Sequence, residues 1–314
     1  MSITEANQRL ELQATKCIFC GDAPNLERYP PRFSPEKLSA YTFSARRNRQ
    51  REHYRIVCCA NCGLVRSDPV LKEEVQNQFY RESEFLFSEE APFAARTYAY
   101  LLERLLRQHQ GDKPVHSVCE IGCSSGFFLE QCIDLGFDDV IGFEPSIQCR
   151  QHAAPKVRDR IITAPFSPEH VAGRRFDLLC SFHVFDHLRN PLQVLSDAAT
   201  HLNGGGYVFL VCHDVESLGA HMLGSRNPIF DVEHIYLFSK KTISMMLERT
   251  GFTTLEVGSL TNTYPLGYWM RMFPGAGGIA QWLPRMLARL PISLRAGNLY
   301  AFGRKGGGGG NADR

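Results

Sequence analysis

The middle of the chain alternates short apolar runs with segments whose apolar residues recur at helical spacing. The apolar runs predict strands at 117–121, 140–143, 160–163, 176–182, 206–212, 252–258 and 298–304. The periodic segments predict helices at 126–135, 146–153, 191–202 and 239–250. Such alternation is typical of crossover units, which place neighbouring strands parallel. The pattern therefore predicts an α/β fold with a doubly wound, mostly parallel seven-stranded sheet.

Four segments fall outside this alternation. Residues 1–70 are rich in Cys, Arg and Pro, which predicts a small N-terminal module, and residues 71–112 have the periodicity of a helical linker or lid. Within the α/β domain, residues 113–305, the stretch 264–296 carries Trp, Met and Leu among arginines. It predicts a helical insertion that covers the active site, forms a homodimer surface or makes a shallow membrane contact. Five consecutive glycines in 306–314 predict a disordered tail.

Composition narrows the class of protein only slightly. The chain has 314 residues, 44% of them apolar, and a formal net charge of +2, so nothing in the total charge favours nucleic acid or anionic membrane. No apolar run reaches the roughly 18 residues of a spanning helix. The first residues lack the basic and apolar regions of a signal peptide. We therefore expect a cytoplasmic protein.

The turn after the first strand of the alternation carries the first chemical signal. Gly122, Ser124 and Gly126 are small residues at a strand-to-helix turn, where backbone N–H groups can meet a ligand. The turn departs from the dinucleotide fingerprint because Ser124 replaces its middle glycine and Glu120 precedes it. A carboxylate there suits a ligand that bears an ammonium group beside a carboxylate. The methionine end of S-adenosylmethionine has both.

A second acid supports a nucleoside ligand. Glu144 ends the next predicted strand, 22 residues after Gly122, where a carboxylate can accept hydrogen bonds from both ribose hydroxyls. The alternative is a glycine-rich turn with an incidental acid. The two motifs together favour the nucleoside interpretation.

Three segments resemble motifs of the class I S-adenosylmethionine-dependent methyltransferases: "VCEIGCSSGFFLEQC", "GFEPS" and "FDLLCSFHVFDHLRNP". The resemblance covers about 115–305 and implies an enzyme with the Rossmann-like methyltransferase fold. An acid is common beside the adenine in this family, whereas this chain has Ala164 there. The cofactor-binding residues that the resemblance implies are Glu120, Gly122, Cys123, Ser124, Gly126, Glu144, Pro145, Ala164, Pro165, Phe166 and His183.

Two cysteine pairs of the N-terminal module have the spacing of a metal site. Cys17 and Cys20 form one C-x2-C pair, and Cys59 and Cys62 form the other after 38 intervening residues. Four thiolates satisfy tetrahedral zinc and leave no open position, so the spacing predicts a structural site. Four free cysteines, or Cys58 in place of Cys59, are the alternatives. The six later cysteines are typical of buried thiols in a reducing compartment.

A basic run, Arg46 to Arg55, lies between the cysteine pairs. It could form a solvated face, bind a phosphorylated small molecule, or bind nucleic acid phosphates. The balanced total charge and the lack of interleaved aromatic residues make nucleic acid the unfavoured partner.

The zinc module directly before this core narrows the resemblance to sugar C-methyltransferases and their relatives. "CANCGLV" and "FDVEHIYLFSKKTISMMLERTGF" carry this likeness, which implies base catalysis by the pair Glu233 and His234. The chain departs from those enzymes at 230–232, where Phe-Asp-Val stands in place of a Tyr and His. It also departs at the end of the fifth strand, "VCHDVES", and in the 264–296 insertion, which replaces a separate C-terminal domain.

Methyl transfer to an alcohol, or to a carbon beside a carbonyl, needs a base that titrates near neutrality, and histidine fits best. Among the histidines at predicted strand ends, we expect His234 to be the base, oriented by Glu233 or another acid. We expect His183 to line the pocket or to act as a second base. Asp186 and His187 are interpreted as the start of a helix, and Tyr80 as a lid or core residue.

The sequence thus predicts C- or O-methylation of a sugar, nucleotide sugar or natural-product intermediate. Two alternatives stay open. One is an RNA methyltransferase whose zinc module binds the substrate. The other is a non-catalytic protein that binds the cofactor and uses the zinc module for partner contact.

Overall fold

The computed structural model of the chain describes residues 12–34, 38, 40–43, 52–82, 91–111, 114–272 and 285–306. The basic run from Arg46 to Arg51, the tail after Gly306 and residues 273–284 of the 264–296 segment therefore lie outside the described residues. Arg55 is described, and its guanidinium pairs with the Asp68 carboxylate at 2.8 Å.

The strands are β1 (Leu12–Gln13), β2 (Asn25–Tyr29), β3 (Ile56–Cys59), β4 (Val65–Ser67), β5 (Val70–Leu71), β6 (Ser117–Ile121), β7 (Asp139–Phe143), β8 (Ile161–Ile162), β9 (Phe176–Phe182), β10 (Leu202–His213), β11 (Tyr236–Leu237), β12 (Phe252–Pro265) and β13 (Pro291–Lys305). The helices are α1 (Glu73–Glu82), α2 (Ala91–His109), α3 (Phe127–Asp134), α4 (Ile147–Gln151), α5 (Pro155–Arg158), α6 (Pro191–Thr200), α7 (Leu218–Leu223), α8 (Lys240–Arg249), α9 (Leu266–Met272) and α10 (Arg285–Ala288). Single 3-10 turns lie at Ala40–Phe43, Pro168–Val171 and Gly224–Arg226.

The central sheet confirms the predicted fold class. Its strand order is β12-β13-β10-β9-β6-β7-β8. The five strands from β10 to β8 are parallel, and β13 runs antiparallel to both of its neighbours. Strand order reverses between β6 and β9, and such a switch point opens a ligand crevice at the carboxyl ends of the strands. The turn after β6 lies at this point.

The residues of the central strands are apolar because helices cover both faces of the sheet. In β6 and β9, Val118, Leu178 and Leu179 are each at most 1% exposed. Helix α2 packs on one face with Leu102 and Leu105, which belong to the same buried cluster as Val118 and Leu178. The apolar runs thus predicted the sheet correctly because both faces of its inner strands are buried.

The ends of the 264–296 segment are strand, which corrects the prediction of a wholly helical insertion. Strand β12 continues to Pro265, and β13 begins at Pro291. Their antiparallel pairing includes Thr263 with Ser293 and Tyr264 with Ile292. This part of the hairpin extends beyond the parallel strands, so it lacks the buried apolar face that would have identified it in the sequence.

The N-terminal module shares a sheet with the α/β domain. Strands β2, β3 and β4 are joined by β11, which follows the Glu233–His234 pair, in the order β11-β4-β3-β2. Tyr236 pairs with Arg66 and Leu237 with Val65. The Ser67 hydroxyl also donates to the His234 carbonyl at 2.7 Å. The module therefore fixes the backbone that carries His234.

Candidate active site

The turn after β6 has the backbone that its small residues predict. Gly122 and Gly126 have φ angles of 77° and 76°, and Ser124 has 49°. A Cβ atom on Gly122 would lie 2.2 Å from Cγ2 of Val184, which leans over the turn from the segment after β9. Only glycine combines this conformation with such a close approach. The turn and the end of β9 therefore form one wall.

Glu144 connects the turn to the end of β7. Its carboxylate accepts hydrogen bonds from the backbone N–H of Ser124 at 3.1 Å and of Ser146 at 2.9 Å. These bonds fix the carboxylate at the tip of the strand, and each oxygen has further lone pairs that can accept from a ribose hydroxyl.

Glu120 is the buried acid beside the turn. The side chain is 3% exposed, and its Oε2 atom has no hydrogen-bond partner among the residues that the structure describes. Burial, with the negative charge of Glu144 nearby, raises the pKa of the Glu120 carboxyl well above its usual range. A cation at this position would offset the cost of ionising a buried carboxyl. The residues present thus fit the ammonium and ribose of S-adenosylmethionine.

We expect Glu120→Gln to weaken S-adenosylmethionine binding by about 10- to 150-fold, the loss that one hydrogen bond to a charged group brings. Calorimetry on cofactor-stripped protein measures this affinity. Glu248→Gln on α8, at an exposed position, is the matched control. Unchanged affinity in Glu120→Gln would show that the ammonium of the cofactor does not bind beside Glu120.

The same substitution should stabilise the protein without cofactor. Because the folded state raises the pKa of Glu120, it keeps a proton that the unfolded chain loses above about pH 4.3. The free energy of unfolding therefore falls as pH rises from there through the raised pKa. Glu120→Gln removes this loss, so its advantage over the wild type in thermal unfolding should grow with pH over that range. An advantage that does not change with pH contradicts this account.

The remaining predicted cofactor residues lie along the same edge of the sheet. Phe166, after β8, contacts Phe143 edge-on at 5.2 Å between ring centroids, whereas Ala164 offers no side-chain acceptor to an adenine amine. Cys123 is buried within the turn, and Pro145 follows Glu144. His183 has a φ of 56° and donates its backbone N–H to Val211 at 2.8 Å, which places it directly after β9.

Four histidines gather at the carboxyl ends of β9 and β10. The ring centroids of His183 and His213 are 4.6 Å apart, those of His213 and His234 are 4.8 Å apart, and those of His187 and His234 are 4.9 Å apart. The Asp186 carboxylate lies among them, 3.7 Å from His187 Nε2, 3.9 Å from His234 Nε2 and 4.0 Å from His213 Nε2. We call these five residues the histidine cluster.

Hydrogen bonds at the outer ring nitrogens orient the cluster. His234 Nδ1 donates to the carbonyl of Ile229 at 2.7 Å, and His213 Nδ1 meets Asn298 Oδ1 at 3.1 Å. His187 Nδ1 is 2.9 Å from the Tyr80 hydroxyl. A ring whose Nδ1 donates has its lone pair on Nε2 when it is neutral. The Nε2 atoms of His187, His213 and His234 point towards Asp186, where they could accept a proton or bind a metal.

Sequence reasoning missed the role of Asp186. Helix α6 begins at Pro191, so Asp186 and His187 do not start a helix. The Asp186 side chain is fully buried, and its carbonyl accepts from the backbone N–H groups of Ile235 and Tyr236. It thereby holds the His234 segment against the end of β9. The spacing H-x-x-D-H after a predicted strand was the signal available in the sequence.

The four cysteines of the N-terminal module converge as their spacing predicts. The Sγ atoms of Cys17, Cys20, Cys59 and Cys62 all lie within 4.8 Å of one another. Burial opposes ionisation of Cys59, but backbone N–H groups of Cys62 and Asn61 outweigh it and lower the pKa of its thiol to about 7. Cys58 instead directs its Sγ towards the Cys59 carbonyl at 3.8 Å. This donor set fits tetrahedral zinc.

None of the helices in the described ranges combines the length and apolar character needed to cross a membrane.

Comparison with known proteins identifies a methyltransferase domain in the chain. A family described as "Methyltransferase domain" matches residues 90–257. A tRNA U34 carboxymethyltransferase of Campylobacter jejuni subsp. doylei is 25% identical over 167 residues, 51% of this chain and 57% of the relative. The same enzyme of Campylobacter fetus is 22% identical over 154 residues, which are 46% of this chain and 54% of the relative. The chain thus spans about half the length of the curated relatives it matches.

Solved structures with a similar fold include the plantazolicin methyltransferase BpumL in complex with SAH. It is 18% identical, with a TM-score of 0.47 over 69% of this chain and 86% of that one. A putative methyltransferase from Bacillus halodurans is 17% identical, with a TM-score of 0.46 over 65% of this chain and 98% of that one.

Proposed function

The chain belongs to the methyltransferase-domain family as a class I S-adenosylmethionine-dependent methyltransferase, and on that premise we propose that it methylates a small molecule at oxygen or carbon. The acceptor we propose is a sugar, a nucleotide sugar or a natural-product intermediate. The observation that carries this proposal is the burial of Asp186 and His234 within the histidine cluster. His234 is 1% exposed, and the strand that follows it is paired with the N-terminal module. A site this deep favours a small acceptor over a base within a folded nucleic acid.

The residues proposed to hold the cofactor are those of the turn after β6, with Glu120 at the ammonium and Glu144 at the ribose. When bound, S-adenosylmethionine supplies an electrophilic methyl group on a sulfonium. As the acceptor oxygen or carbon forms its bond to the methyl carbon, the electron pair of the broken carbon–sulfur bond stays on sulfur. The acceptor proton passes to an Nε2 atom of the histidine cluster. His234 is the first candidate because the Ile229 carbonyl fixes its tautomer.

We propose that Cys17, Cys20, Cys59 and Cys62 hold a structural zinc ion and that the N-terminal module closes the acceptor site. A cytoplasmic location is part of the proposal. It is supported by the eleven cysteines, all of which are described and free of disulfides.

The test is transfer of an isotope-labelled methyl group from S-adenosylmethionine to small molecules that co-purify with the protein or are extracted from cells. We expect mass spectrometry to find one labelled product heavier than its precursor by one methylene group. Label that appears only in RNA would overturn the small-molecule proposal.

An RNA acceptor is the second candidate, because the curated relatives are named as tRNA U34 carboxymethyltransferases. Binding of total tRNA at low and high salt separates the two, since phosphate contacts weaken steeply as salt rises. We expect no binding even at low salt. Tight, salt-sensitive binding together with methylation of tRNA favours the RNA acceptor.

A further inference from the structure

The histidine cluster contains more metal-ligand atoms than the single proton acceptor that the methyl-transfer chemistry above requires. We propose that Asp186, His187 and His234 bind a divalent first-row transition-metal ion beside the methyl acceptor. Its position beside an acceptor rests on the proposed function, whereas binding of the metal itself does not.

Distances within the cluster match ligands that share an ion. The ligand atoms of Asp186, His187 and His234 all lie within 4.8 Å of one another. The two Nε2-to-carboxylate distances are 3.7 and 3.9 Å, longer than the roughly 2.7–3.2 Å of hydrogen bonds. Two ligands that are each about 2.0–2.2 Å from one ion are separated by about 3–4 Å. The three residues are therefore spaced as the corners of a coordination shell.

The outer hydrogen bonds of the two imidazoles are those of metal ligands. A ligating histidine usually donates its second ring N–H to a carbonyl or another acceptor, which orients the ring and directs its lone pair at the ion. His234 does so to the carbonyl of Ile229, and His187 meets the Tyr80 hydroxyl. His234 therefore presents its lone-pair nitrogen to the Asp186 carboxylate, and His187 does so in the tautomer in which its Nδ1 donates to the Tyr80 hydroxyl.

Burial favours an ion among these groups. Asp186 is fully buried and His234 is 1% exposed. A nearby positive charge lowers the cost of burying a carboxylate. A divalent cation compensates the carboxylate and uses the lone pairs at the same time.

The donor set defines the class of metal. Two imidazoles and one carboxylate suit zinc, manganese or iron(II), whereas calcium and magnesium prefer oxygen ligands alone. Three protein ligands leave coordination positions open, as in catalytic metal sites, in contrast to the four thiols of the N-terminal module. When bound, such an ion polarises an acceptor oxygen. With His234 as a ligand, half-buried His183, beside His213, replaces it as the candidate that takes the proton.

The experiment compares metal content by elemental analysis in the full-length wild type, Asp186→Asn and His187→Gln. The matched control is His116→Gln, an exposed histidine directly before β6, at the opposite edge of the sheet. We expect the wild type and the control to hold one equivalent more metal than Asp186→Asn or His187→Gln. Cobalt substitution should show thiolate charge-transfer absorption from the cysteine site in all four proteins. Equal metal content in wild type and both folded variants, as a shared proton in place of an ion would give, overturns the proposal.

Tyr80→Phe provides a milder variant, so that the outcome does not depend on how Asp186→Asn folds. Removal of the hydroxyl that meets His187 Nδ1 should weaken metal affinity at the histidine cluster by about 10- to 100-fold, as loss of such outer partners does. Competition with a chelator measures this affinity. Unchanged affinity contradicts the assignment of His187 as a ligand.

Methyl transfer distinguishes this inference from the proposed function. If metal binds but no small molecule is methylated in any metal state, the proposed function fails and the metal site stands. If a small molecule is methylated equally well after the cluster has been depleted of metal, the proposed function stands and the metal is not beside the acceptor.

Discussion

Cys17→Ser should release the zinc ion proposed for the N-terminal module and unfold that module. Four thiolates with a structural zinc contribute about 10–16 kcal/mol of apparent binding free energy, which becomes folding free energy when the site does not exist in the unfolded chain. Cys17 and Cys62 lie 3.5 Å apart at Sγ, and both pack in the same buried cluster as Ile235 and Tyr236 beside His234. The expected result is loss of one zinc equivalent, a lower melting temperature and loss of methyl transfer.

Cys58→Ser is the matched control because Cys58 is a neighbouring cysteine whose sulfur faces away from the cluster, towards the Cys59 carbonyl. It should retain zinc and melt close to the wild type. Limited proteolysis should cut Cys17→Ser within residues 12–71 and leave Cys58→Ser intact. Zinc loss in Cys58→Ser as large as in Cys17→Ser would show that Cys58, and not Cys59, is the ligand.

His234→Gln should lower turnover by about 100- to 10,000-fold, the range expected when a general base is removed, with the affinity for S-adenosylmethionine unchanged. Glutamine has nearly the same length and places an amide near the Nε2 position, but it neither accepts the proton nor replaces an imidazole ligand. Single-turnover kinetics and calorimetry measure the two quantities on the same protein. Turnover within a few-fold of the wild type would place the chemistry elsewhere.

Glu233→Gln separates the second predicted catalytic residue from the first. Because the Ile229 carbonyl already fixes the His234 ring, we expect loss of the Glu233 charge to lower turnover by less than about tenfold. His116→Gln serves as the control here as well. A larger loss than in His234→Gln would give Glu233 the leading role.

Strand and helix placement agreed with the pattern wherever an element was buried on both sides. Strands β6 and β9 have the predicted bounds, 117–121 and 176–182. Agreement was poorer where an element is stabilised by pairing rather than by burial. Strands β12 and β13 continue past their predicted ends, along a hairpin whose residues are largely half-buried or exposed. Hydrogen bonding between strands leaves little trace in the apolar pattern.

For the candidate site, residue spacing predicted those features that are formed by residues close together in the sequence. The turn at 122–126 and the cysteine pairs are each short motifs, since their chemistry depends on residues a few positions apart. The role of Glu144 could also be predicted from the sequence because this residue ends the next strand of a regular alternation. The position of the Asp186 carboxylate among the histidines could not be predicted in this way, since the rings that surround it come from three separate segments of the chain.

The sequence by itself determined the sheet, the cofactor turn and the cysteine donors, because apolar periodicity and close spacing act within a few residues. Only the tertiary structure decided that His187, His213 and His234 direct their Nε2 atoms at one buried carboxylate. It also showed that a strand of the N-terminal module holds the His234 segment in place. Those arrangements depend on strand order and on contacts between segments that are far apart in the chain, which are set when the sheet closes.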